Sequence, residues 1–288
     1  MNYIKLNDGN KMPMVAFGVY QIKDAKQCEE AVLAAIKTGY RLIDTAQAYY
    51  NEEAVGNAVK KCGLKREELF ITTKVWVSNF GYEKTKASVE RSLKRLQMSY
   101  VDLVLLHQPF SNYHEAYRAL ADLQKEGKIK SIGVSNFYPG RLADICLLNE
   151  SGVIPAVNQI EINPFFQQEE AVAVNHKYNV VPQAWAPFAE GKNNIFTNEI
   201  LVSIGKKYNK SAAQVILRWL LERNIPFAVK SVNEERIKQN FDIFDFKLDA
   251  DDLEKIKSLD TKKSSMFEHQ SVQGPELVSK FVKITGEI

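Results

Sequence analysis

The chain has 288 residues, 45% hydrophobic and 25% charged, with 38 Lys and Arg against 35 Asp and Glu for a net charge of +3. This is the mixture of an ordinary globular protein, long enough for two small domains or one large barrel. The Lys-Lys pairs at Lys60, Lys206 and Lys262 are isolated among acidic or apolar residues, which excludes a basic stripe for nucleic acid. No apolar run approaches the ~18 residues of a membrane span, and the N-terminus lacks the apolar core of a secretory signal. Cys28, Cys62 and Cys146 are widely separated, without a CxxC pair. That argues against a disulfide framework or a zinc site and suits a reducing cytoplasm.

In chain order, "YIKL" and "KMPMV" flank "NDGN", an Asp-Gly turn signal that predicts a hairpin. Short apolar runs then alternate with stretches of helical period. "VAFGV" (15–19) is followed by "AKQCEEAVLAAIKTG", with Cys28, Ala31, Val32, Ala35 and Ile36 on one face and Gly39 as its C-terminal cap. "RLID" leads to "NEEAVGNAVKKCG", with Asn51 as the expected helix cap. "LFITTK" (69–74) leads to "YEKTKASVERSLKRLQ", and "VDLVLLH" (101–107) to "YHEAYRALADLQKEG". "SIGVS" precedes a helix near 142–148, and "AVNQIEI" precedes "QEEAVAVNHKY". "VVPQAWA" is followed by an extra helix at 198–208 and then "SAAQVILRWLLERN". "PFAVKS" leads to "EERIKQNFDIF", where Ser231 and Glu234 fit a capping box. A second extra helix, "DADDLEKIKSL", runs into a tail read as irregular.

Eight strand–helix units with near-continuous apolar strands predict a closed (β/α)8 TIM barrel with an N-terminal β-hairpin and two extra helices. No linker divides it, so residues 1–288 read as a single domain. The rival, an open doubly wound sheet, commonly carries GxGxxG after its first strand. Only Gly18 occurs in "FGVYQIK".

Function in such barrels sits at the C-terminal strand ends. There the sequence places Asp44, Lys74, His107, Ser135, Asn136, Gln159, Glu161, Lys230 and Ser231, with Tyr49 and Tyr50 close by. Taken singly, each has an ordinary reading: a turn Asp, a surface Lys, a buried His, a packing Tyr. Barrel geometry aims several of them into one mouth, and together they make chemical sense. A phenol with a pKa of ~10 needs help to donate a proton near neutral pH. An adjacent ammonium favours the phenolate, and a carboxylate beside a buried Lys keeps it charged. The dispersed His107, His114, His176 and His269 offer no metal-ligand set.

At these residues the sequence resembles the aldo-keto reductase family over nearly its whole length, most like its bacterial 2,5-diketo-gluconate and methylglyoxal reductases. The matching segments are "FGVY", "YRLIDTAQAYYNEEAVG", "ITTKVW", "DLVLLHQP", "IKSIGVSNF", "NQIEINP", "QAWAP" and "KSVNEERIKQNFDIFDF". The resemblance implies a barrel enzyme of the cytoplasm, monomeric by default, that reduces small aldehydes and ketones with NADPH, NADH being possible. It implies no metal. It also implies a catalytic tetrad of Asp44, Tyr49, Lys74 and His107, with Tyr49, rather than Tyr50, as proton donor, tuned by Lys74 and Asp44. Ser135, Asn136 and Gln159 would meet the nicotinamide amide, and Trp185 would stack on the ring. Gly18, Val19, Ala186 and Phe188 complete the implied cofactor surface. Lys230, Ser231, Val232 and Arg236 would surround the 2′-phosphate, with Gln239 and Asn240 near the adenine. Tyr20, Trp76, His107 and Gln108 would face the substrate. The alternative is a barrel that holds the cofactor for regulation or redox sensing, with little turnover.

The chain departs from the family pattern in places. Val229 stands where many relatives have Pro, Ala186 where many have Ser, and Gln239 where Glu is common. Tyr20 and Gln108 stand where many have Trp, making that pocket wall more polar. The tail is expected to reach over the pocket.

Overall fold

The computed structural model describes residues 2–285. The predicted hairpin is β1 (Tyr3–Lys5) paired antiparallel with β2 (Lys11–Pro13). Eight parallel strands follow and close into a barrel. They are β3 (Val15–Gly18), β4 (Leu42–Asp44), β5 (Phe70–Val75), β6 (Val101–Leu106), β7 (Ile129–Ser135), β8 (Val157–Glu161), β9 (Val181–Trp185) and β10 (Phe227–Val229). The last is shorter than the run that predicted it, because the backbone leaves the ladder after Val229.

The helices that cover the barrel are α1 (Ala25–Thr38), α2 (Glu52–Lys61), α3 (Tyr82–Leu96), α4 (Tyr113–Lys125), α5 (Pro139–Leu148) and α6 (Glu169–Lys177). The extra α7 (Glu199–Tyr208) precedes α8 (Ala212–Glu222) and α9 (Glu234–Phe241), and α10 (Ala250–Lys257) is the second extra helix. The tail departs from expectation, for its end is a third extra helix, α11 (Gln273–Thr285).

Local chemistry sets the helix ends. Asp24 accepts from the Gln27 N–H at 2.7 Å to start α1, as a capping acid should. Gly39 ends it at φ 122°, with Phe241 so close that a Cβ would lie 2.9 Å from its ring. Two expected caps fail. Asn51 occupies the cap position of α2, but its buried amide donates instead to the carbonyls of Val19 and Ile22 and accepts from Thr45. The capping box of Ser231 and Glu234 does not form. Asn233 caps α9 by accepting from the Arg236 N–H at 3.0 Å, and Ser231 Oγ accepts from the Asn233 N–H. The chain thus turns two residues later than the S-x-x-E spacing suggests.

Side chains alternate in direction along each strand. Ile43, Ile71, Val104 and Leu106 point outward into the core against the helices. Ala16, Leu42, Phe70, Leu103, Leu105, Val157 and Val181 point inward and form a separate cluster with Leu6 and Met12 of the hairpin. The hairpin therefore plugs the N-terminal end of the barrel. The same inward parity carried toward the other end reaches Gly18, Asp44, Lys74, Ser135, Gln159, Gln183 and Trp185.

Candidate active site

The C-terminal mouth of the barrel holds a cleft of about 750 Å³, within the ~300–1,000 Å³ usual for ligand sites. Of the residues singled out in the sequence, Gly18, Tyr20, Asp44, Tyr49, Trp76, His107 and Gln108 line it. So do Ser135, Asn136, Gln159, Trp185, Ala186, Phe188 and Lys230. Lys74 lies beneath the surface, fully buried. Val19, Ser231, Val232, Arg236, Gln239 and Asn240 are not brought to the cleft wall. The last five continue from Lys230 along α9: Ser231, Val232 and Arg236 lie around its start and Gln239 and Asn240 in its last turn, with Val232 and Arg236 exposed and Ser231 and Asn240 buried.

Tyr49 sits at the end of a single 3₁₀ turn, Gln47–Tyr49, and Tyr50 closes that turn at φ 57°. The turn is fixed from behind by Gln47. Its Oε1 accepts from the Trp76 N–H at 3.0 Å and from Asn79 at 2.9 Å, and its Nε2 donates to Ser92 at 3.1 Å. The Tyr49 turn is thereby tied to the end of β5, which carries Lys74.

Lys74 Nζ donates to Asp44 Oδ1 at 2.5 Å and to the Thr45 carbonyl at 2.9 Å. It stands 3.4 Å from the Tyr49 hydroxyl. His107 meets the Tyr49 ring edge-on at a centroid distance of 5.7 Å and Trp76 at 5.1 Å. Its Nδ1 is buried without a protein partner. Acid, ammonium, phenol and imidazole thus converge. Tyr50 is 64% exposed and points elsewhere.

Burial dominates the electrostatics. It pushes the Tyr49 phenol well above its ordinary value of 10.0, and the negative charge of Asp44 adds to that. Burial also pulls Lys74 down, against the opposing charge and hydrogen bond of Asp44. The expected lowering of Tyr49 by Lys74 is therefore outweighed in this structure: desolvation of a would-be phenolate is larger than one ammonium at 3.4 Å can offset. His107 is held well below 6.5 by burial, with Lys74 and His269 reinforcing the effect. Its imidazole is neutral and keeps one N–H to donate.

The residues suit a nicotinamide. Asn136 donates to the His107 carbonyl at 3.0 Å and accepts from Trp185 Nε1 at 2.9 Å, so it steers the flat Trp185 ring. Ser135 Oγ donates to the Gln159 carbonyl at 2.8 Å. Both hydrogens of Gln159 Nε2 go to protein acceptors, which leaves its side-chain carbonyl for an amide N–H. At the outer end, exposed Lys230 and Arg236 offer cations to a phosphate.

Other cleft residues were not foreseen individually. The loop after β9 contributes Glu190, Lys192 and Phe196, and the tail contributes Met266, Phe267, His269, Leu277, Val278 and Phe281. The tail does reach over the pocket. Two serines anchor it to Glu161, with Ser264 Oγ at 2.6 Å and the Ser265 N–H at 3.0 Å. Trp76 is buried against Val278 of α11.

The sequence profile of the Aldo/keto reductase family matches residues 14–261. The glyoxal reductase of Bacillus subtilis is 46% identical over 257 residues, covering 89% of this chain and 92% of that protein. The methylglyoxal reductase of Escherichia coli K12 is 43% identical over 263 residues, covering 90% and 94%. Among solved structures, an aldo-keto reductase from Brucella melitensis has a TM-score of 0.86 at 44% identity over 90% of this chain and 99% of that one. A Bombyx mori aldo-keto reductase in complex with NADP has a TM-score of 0.87 at 32% identity, covering 93% and 96%. With its barrel, its cleft and these likenesses, the chain belongs to the aldo/keto reductase family and is an NAD(P)H-dependent oxidoreductase of carbonyl groups.

Proposed function

We propose that the protein reduces small aldehydes and ketones with NADPH and that Tyr49 delivers the proton. One observation carries this reading: the Tyr49 hydroxyl, at the wall of an open cleft, lies 3.4 Å from Lys74 Nζ, which itself donates to Asp44. A bound nicotinamide would supply the hydride. The protein's own part is to orient the carbonyl and protonate its oxygen. The neutral His107 donates a hydrogen bond to that oxygen, and Tyr49 transfers its proton as negative charge develops there. The phenolate left behind faces Lys74, whose cation stabilises it in a site of low dielectric.

Gln159, Ser135, Asn136 and Trp185 hold the nicotinamide end of the cofactor against Gly18, Ala186 and Phe188. Lys230, Ser231, Val232 and Arg236 take the 2′-phosphate, and Gln239 and Asn240 take the adenine. The exposed Lys230–Arg236 corner supports NADPH over NADH, because an extra phosphate there gains two cations. Tyr20, Trp76 and Gln108 bound the substrate. The glyoxal and methylglyoxal reductases among the relatives support small carbonyls of that kind. Residues 1–288 act as one catalytic domain, and the free thiols Cys28, Cys62 and Cys146 support the cytoplasm as its compartment.

The test is Tyr49→Phe, with NADPH consumption followed on methylglyoxal and NADPH affinity measured separately. Turnover falls by about a hundredfold or more, while NADPH binds as before. A Phe variant that reduces methylglyoxal at the wild-type rate refutes the assignment.

A further inference from the structure

Four strands contribute to one hydrogen-bonded chain across the floor of the cleft. From β5, Lys74 donates to Asp44 Oδ1 on β4. The other oxygen, Oδ2, accepts from Gln159 Nε2 on β8 at 2.8 Å. The second hydrogen of that nitrogen goes to Gln183 Oε1 on β9 at 2.9 Å. In the ring of strands β4 and β8 lie opposite one another, so the chain spans the barrel. None of the four residues is more than 3% exposed.

A carboxylate only accepts, so Asp44 dictates which end of the Gln159 amide faces it. Gln183 then takes the remaining N–H and fixes the plane of the amide. Its own Nε2 is buried and has no partner, so in this network Gln183 serves as an acceptor alone. We propose that Gln183 is a positioning residue: by accepting from Gln159 it locks that amide between Asp44 and the nicotinamide subsite, so that one chain ties cofactor binding to the Asp44–Lys74 pair behind Tyr49. The inference rests on the cofactor role given above to Gln159.

The physical consequence follows from amide rotation. The last torsion of a Gln side chain is broad, and without an acceptor on β9 the Gln159 amide swings freely. Asp44 then loses a neutral donor and keeps only Lys74. The charged and titratable groups facing Asp44 are Lys74 and Tyr49, while β8 and β9 present the two neutral amides. Tyr20, its ring 5.0 Å from that of Tyr49, and the charge of Glu190 in the loop after β9 also bear on Tyr49. A less compensated carboxylate behind Tyr49 opposes formation of the phenolate.

Gln183→Met and Gln183→Glu separate the acceptor from the shape. Met fills the space without an acceptor. Glu, as a neutral buried acid, keeps the acceptor oxygen and loses only an N–H pair that has no partner. NADPH affinity is read by quenching of tryptophan fluorescence, and kcat is read against pH at saturating NADPH and methylglyoxal. The Met variant binds NADPH about tenfold more weakly, turns over about tenfold more slowly, and has its alkaline limb displaced to higher pH. The Glu variant recovers affinity and kcat at about pH 6. A Met variant with wild-type affinity and an unmoved pH limb, whatever its melting temperature, overturns the proposal. If the Met variant does not fold, Glu decides alone, and a tenfold loss of both quantities at low pH counts against it. A wild-type protein that neither binds nor oxidises NADPH would instead sink the functional reading beneath it.

Discussion

Tyr49 and Tyr50 are adjacent, yet one backbone angle separates their fates. Tyr49 ends the 3₁₀ turn facing Lys74, and Tyr50 caps it in the left-handed region at φ 57° with its ring in solvent. A side chain with a Cβ is disfavoured there by ~1 kcal/mol, whereas glycine is not. Tyr50→Gly should therefore raise the melting temperature by ~1–2 °C after its own entropy cost, with kcat on methylglyoxal unchanged. A kcat that collapses in Tyr50→Gly would mean that the turn, and not the hydroxyl of Tyr49, limits the reaction. Sequence made Asp44, Lys74 and His107 legible because each is a polar group ending an apolar run. It did not single out Gln183 or Gln47. Each is a lone amide in its own segment. Gln183 meets Asp44 only through Gln159 and the closure of β9 and β8 opposite β4, and Gln47 meets Trp76 only where two loops pack. The choice of Tyr49 over Tyr50 came from family likeness, since a positive φ at Tyr50 leaves no mark on a single sequence.

Helices with a 3.6-residue apolar period were readable, as was the Gly39 cap of α1, but two N-terminal caps were not. Asn51 and Ser231 have the right chemistry for capping, but distant carbonyls of Val19 and Ile22 claim the Asn51 amide, and the local turn to Asn233 claims the Ser231 hydroxyl. The tail was misread as irregular because α11 follows a polar stretch and carries Gly274 and Pro275 in its first turn, which mask the apolar spacing of Leu277, Val278, Phe281 and Val282. That tail is docked by a neutral imidazole. His269 is 4% exposed, its ring 4.0 Å from Phe267 and 6.2 Å from Trp185. Burial lowers its pKa from 6.5 to about 4. A folded value below the unfolded one contributes stability that is complete above about 6.5 and lost as pH falls toward 4, amounting to about 3 kcal/mol in all. Glu161, which anchors Ser264 and Ser265, is raised by burial and titrates in the opposite sense. A His269→Gln variant isolates the imidazole. Hydrogen exchange of the α11 amides, corrected for its intrinsic pH dependence, should show protection falling between pH 7 and pH 5 in the wild type by more than in the variant. Equal losses in both would show that His269 does not hold the tail.

At the scale of the whole molecule, the barrel separates stability from chemistry along its axis. Near-continuous apolar strands announced closure, and closure places two unlike ends on one cylinder. At one end inward Ala16, Leu42, Leu103 and Val157 pack on Leu6 and Met12 of the hairpin. At the other, the same inward parity exposes Asp44, Gln159 and Trp185 to the cleft. Met12 is fully buried in the plug, and of the described cleft residues Ala228 alone packs against its cluster. Truncating it leaves a cavity that the surrounding strands, fixed by their ladders, cannot collapse to fill. Met12→Ala should cost ~2–5 kcal/mol, seen as a lower urea midpoint. The ladder bonds of the strands between plug and mouth carry no load from that side chain, so kcat and KM for methylglyoxal and the affinity for NADPH should stay at wild-type values under native conditions. A Met12→Ala protein that keeps its urea midpoint yet loses NADPH affinity would mean that the two ends are coupled through the barrel interior, and that the plug does more than close the fold.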